Sequence, residues 1–182
     1  FKCLKELSDY KTNPYVSIVK GWLHFQNILM ATSKDSKLDM KLARDIAEAS
    51  KKSLSNGMPY ILAGWLDLLS KDFVNTEKNA RKALEVDPFN SKIIPVAGSL
   101  LRRLGQYNDA LPVFTKTLEL SSNPAHWVWV EYAITLTALK QYERANEIIE
   151  KALKTKEAGT QNTILILNQV AIAIYENKIE IA

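Results

Sequence analysis

The apolar and polar positions in the middle of the chain repeat. Three segments carry one pattern: "YILAGWLDLLSKDFVNTEKNARKALEVDP" from Tyr60, "IIPVAGSLLRRLGQYNDALPVFTKTLELSS" from Ile93, and "WVWVEYAITLTALKQYERANEIIEKALKT" from Trp127. Small residues fall at Gly64, Gly98 and Ala133, in steps of 34 and 35. Aromatics fall at Phe73, Tyr107 and Tyr142 with the same steps. Three further columns follow: Thr76, Ala110 and Ala145; Ala83, Thr117 and Ala152; Leu84, Leu118 and Leu153. Five columns in one register mark a repeated unit.

Each unit reads as two helices. Tyr60, Ala63, Gly64 and Asp67 have the i, i+3, i+4, i+7 spacing of one helix face, and Ala110, Phe114, Thr117 and Leu118 show the same kind of spacing in a second helix. Glycine inside a helix costs roughly 1 kcal/mol against alanine. Its recurrence at Gly64 and Gly98 therefore predicts close packing by another helix. Asn75 and Asn108 are expected to N-cap the second helices. Asn13-Pro14 and Asn123-Pro124 place Asn at an N-cap and Pro at the first helical position, and Asp87-Pro88 ends a helix.

The unit resembles the tetratricopeptide repeat. Trp129, Ala133, Leu136, Tyr142, Ala145, Ile149 and Ala152 match its 34-residue pattern of bulky, small and large positions, with an aromatic at the turn. Thr76 and Thr117 stand where the pattern has Ala, Ala80 replaces the aromatic of the second helix, and Ser122 stands where the first unit has Pro88. The resemblance implies an all-α, right-handed α-solenoid of antiparallel helix pairs over the whole chain.

Gly-Trp-Leu occurs at Gly21–Leu23 and again at Gly64–Leu66. Aligning the two makes Pro14–Met30 the first helix of an earlier, longer unit. "ATSKDSKLD" then supplies about nine extra residues as a long inter-helix loop, and "MKLARDIAEASKKSL" is the second helix, with Ala43, Ile46 and Ala47 inward. The expected units are 14–56, 57–90, 91–125, 126–162 and a partial 163–182. In the partial unit Val170, Ile179 and Ala182 continue the columns. Residues 1–13 read as the last helix of a preceding unit, and the start at Phe1 reads as part of a longer polypeptide.

Composition narrows the function more than it identifies it. Of 182 residues, 47% are apolar and 24% charged, as in ordinary folded proteins. The net charge is +4, but the lysines are scattered at helix-surface spacing, which reads as a solvated face rather than a nucleic-acid footprint. One cysteine, Cys3, allows no internal disulfide and no cysteine-based zinc site. With no signal-peptide pattern and no span long enough for a bilayer, the expected location is cytoplasmic. His24 and His126 lie about a hundred residues apart, and no metalloprotease motif, phosphate loop or cysteine pair occurs. Asp35, Asp39 and Asp45 lack calcium-loop spacing. No catalytic residue, metal site or cofactor is expected.

The first helices of such a solenoid line a concave groove. By that resemblance the groove presents Trp22, then Met58, Ile61, Trp65 and Leu68, then Lys92, Pro95, Ser99 and Arg102, then Trp127, Val130, Ile134 and Thr137. Relatives that read a terminal carboxylate need polar clamps, and Ile61, Trp65, Val130 and Ile134 occupy those places. An apolar groove suits a peptide, an amphipathic helix or another domain of the same polypeptide. The same first-helix side chains equally suit packing between neighbouring helices.

The longer first unit and the extra residue near "NPAHWVWV" are similar to the tetratricopeptide region C-terminal to bacterial class III adenylate cyclase domains. This implies a non-catalytic regulatory module. The alternatives are the sensor or oligomerisation domain of a winged-helix transcription regulator and a stand-alone peptide-binding protein. Finally, "ILILNQVAIAIY" is apolar around most of its circumference, so a homodimer through this C-terminal helix is expected.

Overall fold

The computed structural model describes residues 13–121, 123–154 and 160–176. The expected helix over Phe1–Tyr10, together with Cys3, Ser122, Ile179 and Ala182, lies outside the described residues. Among the described residues all regular structure is helical. The elements are α1 (Pro14–Leu29), α2 (Ser36–Ser53), α3 (Met58–Leu69), α4 (Phe73–Val86), α5 (Ile94–Arg103), α6 (Tyr107–Leu120), α7 (His126–Ala138), α8 (Tyr142–Leu153) and α9 (Thr160–Tyr175). The chain divides into two compact units, 1–100 and 101–182, at a boundary inside α5. In the first unit α1 packs on α2, α2 on α3 and α3 on α4, and α1 also touches α3. In the second, α6 packs on α7, α7 on α8, and α9 lies against both α7 and α8. Within each unit these consecutive helices lie side by side. The architecture is therefore all-α, an α-solenoid of helix pairs.

One turn geometry closes four first helices, α1, α3, α5 and α7. Ala31, Lys71, Gly105 and Lys140 have φ of 52°, 60°, 77° and 60°. The N–H of the residue after each donates across the turn to a carbonyl of the helix it leaves: Thr32 to Asn27 at 3.0 Å, Asp72 to Asp67 at 2.9 Å, Gln106 to Leu101 at 3.0 Å and Gln141 to Leu136 at 2.9 Å. This is the left-handed C-terminal cap that satisfies the last carbonyls of a helix. Only Gly105 occupies it without the penalty a Cβ brings.

The turn moves the helix starts. α4 begins at Phe73, and its N-cap is Asp72, whose carboxylate accepts the Asn75 N–H at 3.1 Å. Asn75 is thus the residue being capped rather than the cap. α6 begins at Tyr107 behind Gln106, which leaves Asn108 inside the first turn. α7 begins at His126, so Asn123 does not cap it either. Asn13 does cap α1, accepting the Tyr15 N–H at 2.9 Å, and α4 ends at Asp87 as read from Asp87-Pro88. At α4 and α6 the left-handed turn brings the chain into the next helix earlier than the Asn positions suggest, whereas α7 starts later, behind Ala125.

The first pair departs from its sequence reading in the same way. The left-handed residue follows Gly64, Gly98 and Ala133 by seven positions but follows Gly21 by ten. Part of the insertion therefore lengthens α1. α2 starts at Ser36, not Met40, because the Asp35 carboxylate accepts the N–H groups of Lys37 and Leu38, both at 3.0 Å. The loop between the two helices is Met30–Asp35.

Close packing at the small residues follows the sequence reading. A Cβ on Gly64 would lie 2.8 Å from Leu100 Cδ1, and one on Gly21 2.7 Å from Leu62 Cδ2. Thr76, Ala110, Ala145, Ala83, Thr117 and Ala152 are all buried. The first unit has a core of Ile18, Phe25, Ala43, Ala47, Leu54, Leu62, Ala63 and Leu66.

Two polar links in the first unit join helices. Asp67 is buried and accepts from Arg44 Nη1 at 2.5 Å and from Asn79 Nδ2 at 2.8 Å, tying α2, α3 and α4 together. His24 Nδ1 meets Asp39 Oδ1 at 2.6 Å between α1 and α2. Burial works to raise the Asp39 pKa. The polar Ser33 hydroxyl, the hydrogen bond from His24 and the charge of His24 outweigh it and hold the carboxyl below its ordinary range.

Candidate functional site

In the first unit, α3 is flanked by α1, α2 and α4, so only a narrow stripe of it reaches solvent. Met58, Trp65 and Leu68 lie half-buried on that helix, and Trp22 is half-buried on α1. Trp22, Met58 and Trp65 pack against the core. Phe25 links the two indoles: its ring lies 5.6 Å from Trp22, edge-on, and 6.3 Å from Trp65, tilted. Such ring pairs contribute about 0.5–1.5 kcal/mol beyond area burial, so both tryptophans stand on a fixed support while retaining partial exposure. The indole N–H of Trp22 is buried and has no acceptor among the described residues.

Four residues expected on the groove, Pro95 among them, are interior instead. Ile61 is 1% exposed, Ser99 4% and Val130 6%. The physical reason is neighbour count: a first helix with partners on both sides keeps solvent on only one narrow row, and these four point off that row. They are removed from the accessible set. Lys92, by contrast, is exposed.

In the second unit Trp127 and Ile134 are half-buried on α7. Arg102 forks onto Glu131: its Nε donates to Glu131 Oε2, and its Nη2 to Oε1 at 3.1 Å. Arg103 Nη2 lies 4.0 Å from the same carboxylate. Arg102 was read as a groove cation, but its charge is already matched inside the fold. The partners are 29 residues apart, and nothing local in the sequence signals the pair. The expected all-round apolar helix, α9, is two-sided. Leu165 and Ile172 are buried, while Ile166, Leu167, Val170 and Ile174 are exposed, Leu167 at 62%.

The chemistry of these faces is burial and hydrogen bonding. Among the described residues no group of three His, Cys, Asp or Glu side chains could hold a metal ion. Asp35 is spent on its cap and Asp39 on His24. No helix among them is long and apolar enough to cross a membrane.

A helix-pair array with a left-handed turn after each first helix and small residues at the crossings defines the class: the fold is that of tetratricopeptide-repeat proteins. Solved structures agree. The chain is similar to PilF of Pseudomonas aeruginosa (TM-score 0.67, 15% identity, covering 89% of this chain and 69% of that one). It is similar to YrrB, described as a TPR protein with an unusual peptide-binding site (TM-score 0.66, 17% identity, 98% and 85% covered). It is also similar to a double mutant of MamA from RS-1 (TM-score 0.57, 16% identity, 87% and 96% covered). No family model and no curated protein sequence matches the chain.

Proposed function

We propose that the chain is a non-catalytic protein-interaction module whose first-helix face in residues 1–100 captures an apolar peptide or an amphipathic helix. The observation that carries this is the half-exposed row Trp22, Met58, Trp65 and Leu68, backed by Phe25 and the core. Aromatic side chains that are rigidly supported and only partly covered are the usual anchors of interfaces. YrrB, which has a similar fold, is described by its peptide-binding site. In the second unit Trp127 and Ile134 are the corresponding candidates.

Peptide capture from a random library, followed by Trp65→Ala and Trp127→Ala, tests the reading. Each substitution should weaken binding by more than about 1 kcal/mol, with helicity retained. Unchanged binding together with a large loss of folding stability would mean that these tryptophans serve packing alone, and the reading would fall.

A cytoplasmic location and attachment to a nucleotide-cyclase or winged-helix effector domain belong to the same proposal. The effector attachment rests on the longer first unit and on repeat register. The reading frame around this chain tests it directly: an effector domain with neither paired metal-binding aspartates nor a winged helix would sink both forms.

The outer face of α9 supports self-association as a second reading. Leu167, Val170 and Ile174 form an exposed apolar row there. Light scattering should show a concentration-dependent dimer that Leu167→Asp abolishes; a monomer at high micromolar concentration excludes it. Ile172 on the same helix is core, and a charge there tests folding instead.

A further inference from the structure

On the first unit, away from the tryptophan row, α2, α3 and α4 enclose a basin of about 400 Å³. Lys51 comes from α2, Tyr60 from α3, and Lys78, Arg81, Lys82 and Glu85 from α4. Lys51 Nζ stands 5.3 Å over the Tyr60 ring, a cation–π contact that fixes the ammonium at the rim. Four cations and one carboxylate therefore share one concavity.

The repeat supplies an internal control. Positions 78 and 81 correspond in register to Pro112 and Thr115 one unit on, and to Glu147 and Glu150 two units on. The fold demands no cation at either place, and the last of these units carries the opposite charge. Among the described residues Lys78 makes no ion pair. Lys51 is paired with Glu48 at 2.7 Å, Arg81 with Glu77 at 2.8 Å and Lys82 with Glu85 at 2.6 Å. Glu48 and Glu85 are largely solvent-exposed and Glu77 is about a third exposed, and exposed pairs contribute about 0–1 kcal/mol. Their exchange for carboxylates from outside costs little.

We propose that this basin docks an acidic segment of a protein partner, a short run of Asp and Glu whose carboxylates meet Lys78 first and then displace Glu48, Glu77 and Glu85 from Lys51, Arg81 and Lys82. A peptide fits better than nucleic acid. The cations form one compact basin rather than a stripe, and a continuous phosphate backbone would meet Glu48, Glu77 and Glu85 at its edge. The basin shares no residue with the tryptophan row, so this inference does not depend on the apolar face.

Fluorescence anisotropy of a labelled oligo-glutamate peptide on the 182-residue chain tests it, with an oligo-glutamine peptide as the neutral control. The glutamate peptide alone should bind, and more weakly as salt rises. Lys78→Glu with Arg81→Glu should weaken binding by about tenfold, equivalent to about 1.4 kcal/mol, with unchanged helicity. Lys37→Glu with Lys41→Glu, an equal charge change elsewhere on α2, should leave it within about twofold, and Trp65→Ala should have no effect. Equal losses from the two double reversals would reduce the binding to net charge and overturn the site. So would no loss from the Lys78/Arg81 pair, or duplex DNA that binds the same basin as tightly as the peptide.

Discussion

The hairpin α3–α4 and the hairpin α7–α8 align at a constant offset of 69 residues, yet they solve one contact in opposite ways. Gly64 aligns with Ala133, Lys71 with Lys140, Phe73 with Tyr142 and Ala83 with Ala152. Between these matched columns, Asp67 and Asn79 align with Leu136 and Ile148. All four are buried, with Asp67 at 2% and Leu136 at 0% exposure. In one hairpin the first helix meets the second through a hydrogen bond of 2.8 Å; in the other, both residues at those positions are apolar. The repeat thus dictates where a side chain sits but not what it is made of. The polar version needs a third residue. Arg44 on α2 supplies the charge that makes a buried carboxylate tolerable, and so binds the hairpin to the one before it.

The largest effect should come from breaking the polar version. Asp67→Ala leaves the buried Asn79 amide without its acceptor, while the partly exposed Arg44 can turn to solvent, and should cost about 1–3 kcal/mol. Installing the apolar version, Asp67→Leu with Asn79→Ile, should recover most of that, because replacing both partners of a buried hydrogen bond by apolar groups of similar shape can be nearly neutral. Denaturant midpoints of the single and double variants decide the matter. A double variant as weak as the single one would show that the two hairpins are not interchangeable at this position.

The small-residue column should give a lesser effect. Ala133→Gly should cost about 1 kcal/mol through helix propensity alone. Gly64→Ala gains that propensity but pushes a Cβ to 2.8 Å from Leu100 Cδ1, the end of a buried side chain. The two terms oppose each other, so thermal unfolding should place it within about 1 kcal/mol of the parent. A loss of several kcal/mol would mean that Leu100 cannot rotate away.

The smallest effect should come from acid. Asp39 has a folded pKa below its ordinary 3.8. It therefore binds fewer protons folded than unfolded in that window, and stability falls as pH drops from the ordinary value through the lowered one. Asp39→Asn should flatten the stability profile of residues 1–100 across that range. An identical acid slope in the variant would remove Asp39 from the account.

The sequence by itself determined the repeat, its two-helix content, the close crossing at Gly64, and the helix end at Asp87. These features share a cause: each is set by residues within a turn or two, or by packing that recurs every 34 or 35 positions and so leaves a periodic trace. Trp22, Met58 and Trp65 fall on first helices, as the resemblance implies.

Tertiary structure alone decided the rest. Ile61, Ser99 and Val130 left the accessible face because flanking helices cover them, and no local pattern counts neighbours. The Asp67–Arg44–Asn79 network, the fork of Arg102 on Glu131 and the basin that gathers Lys51 with Lys78 and Arg81 join residues from different helices. Charges scattered along a chain read as a solvated surface. Only when helices are laid side by side do they fall within a few ångströms, where a Coulomb interaction is no longer lost to water and salt.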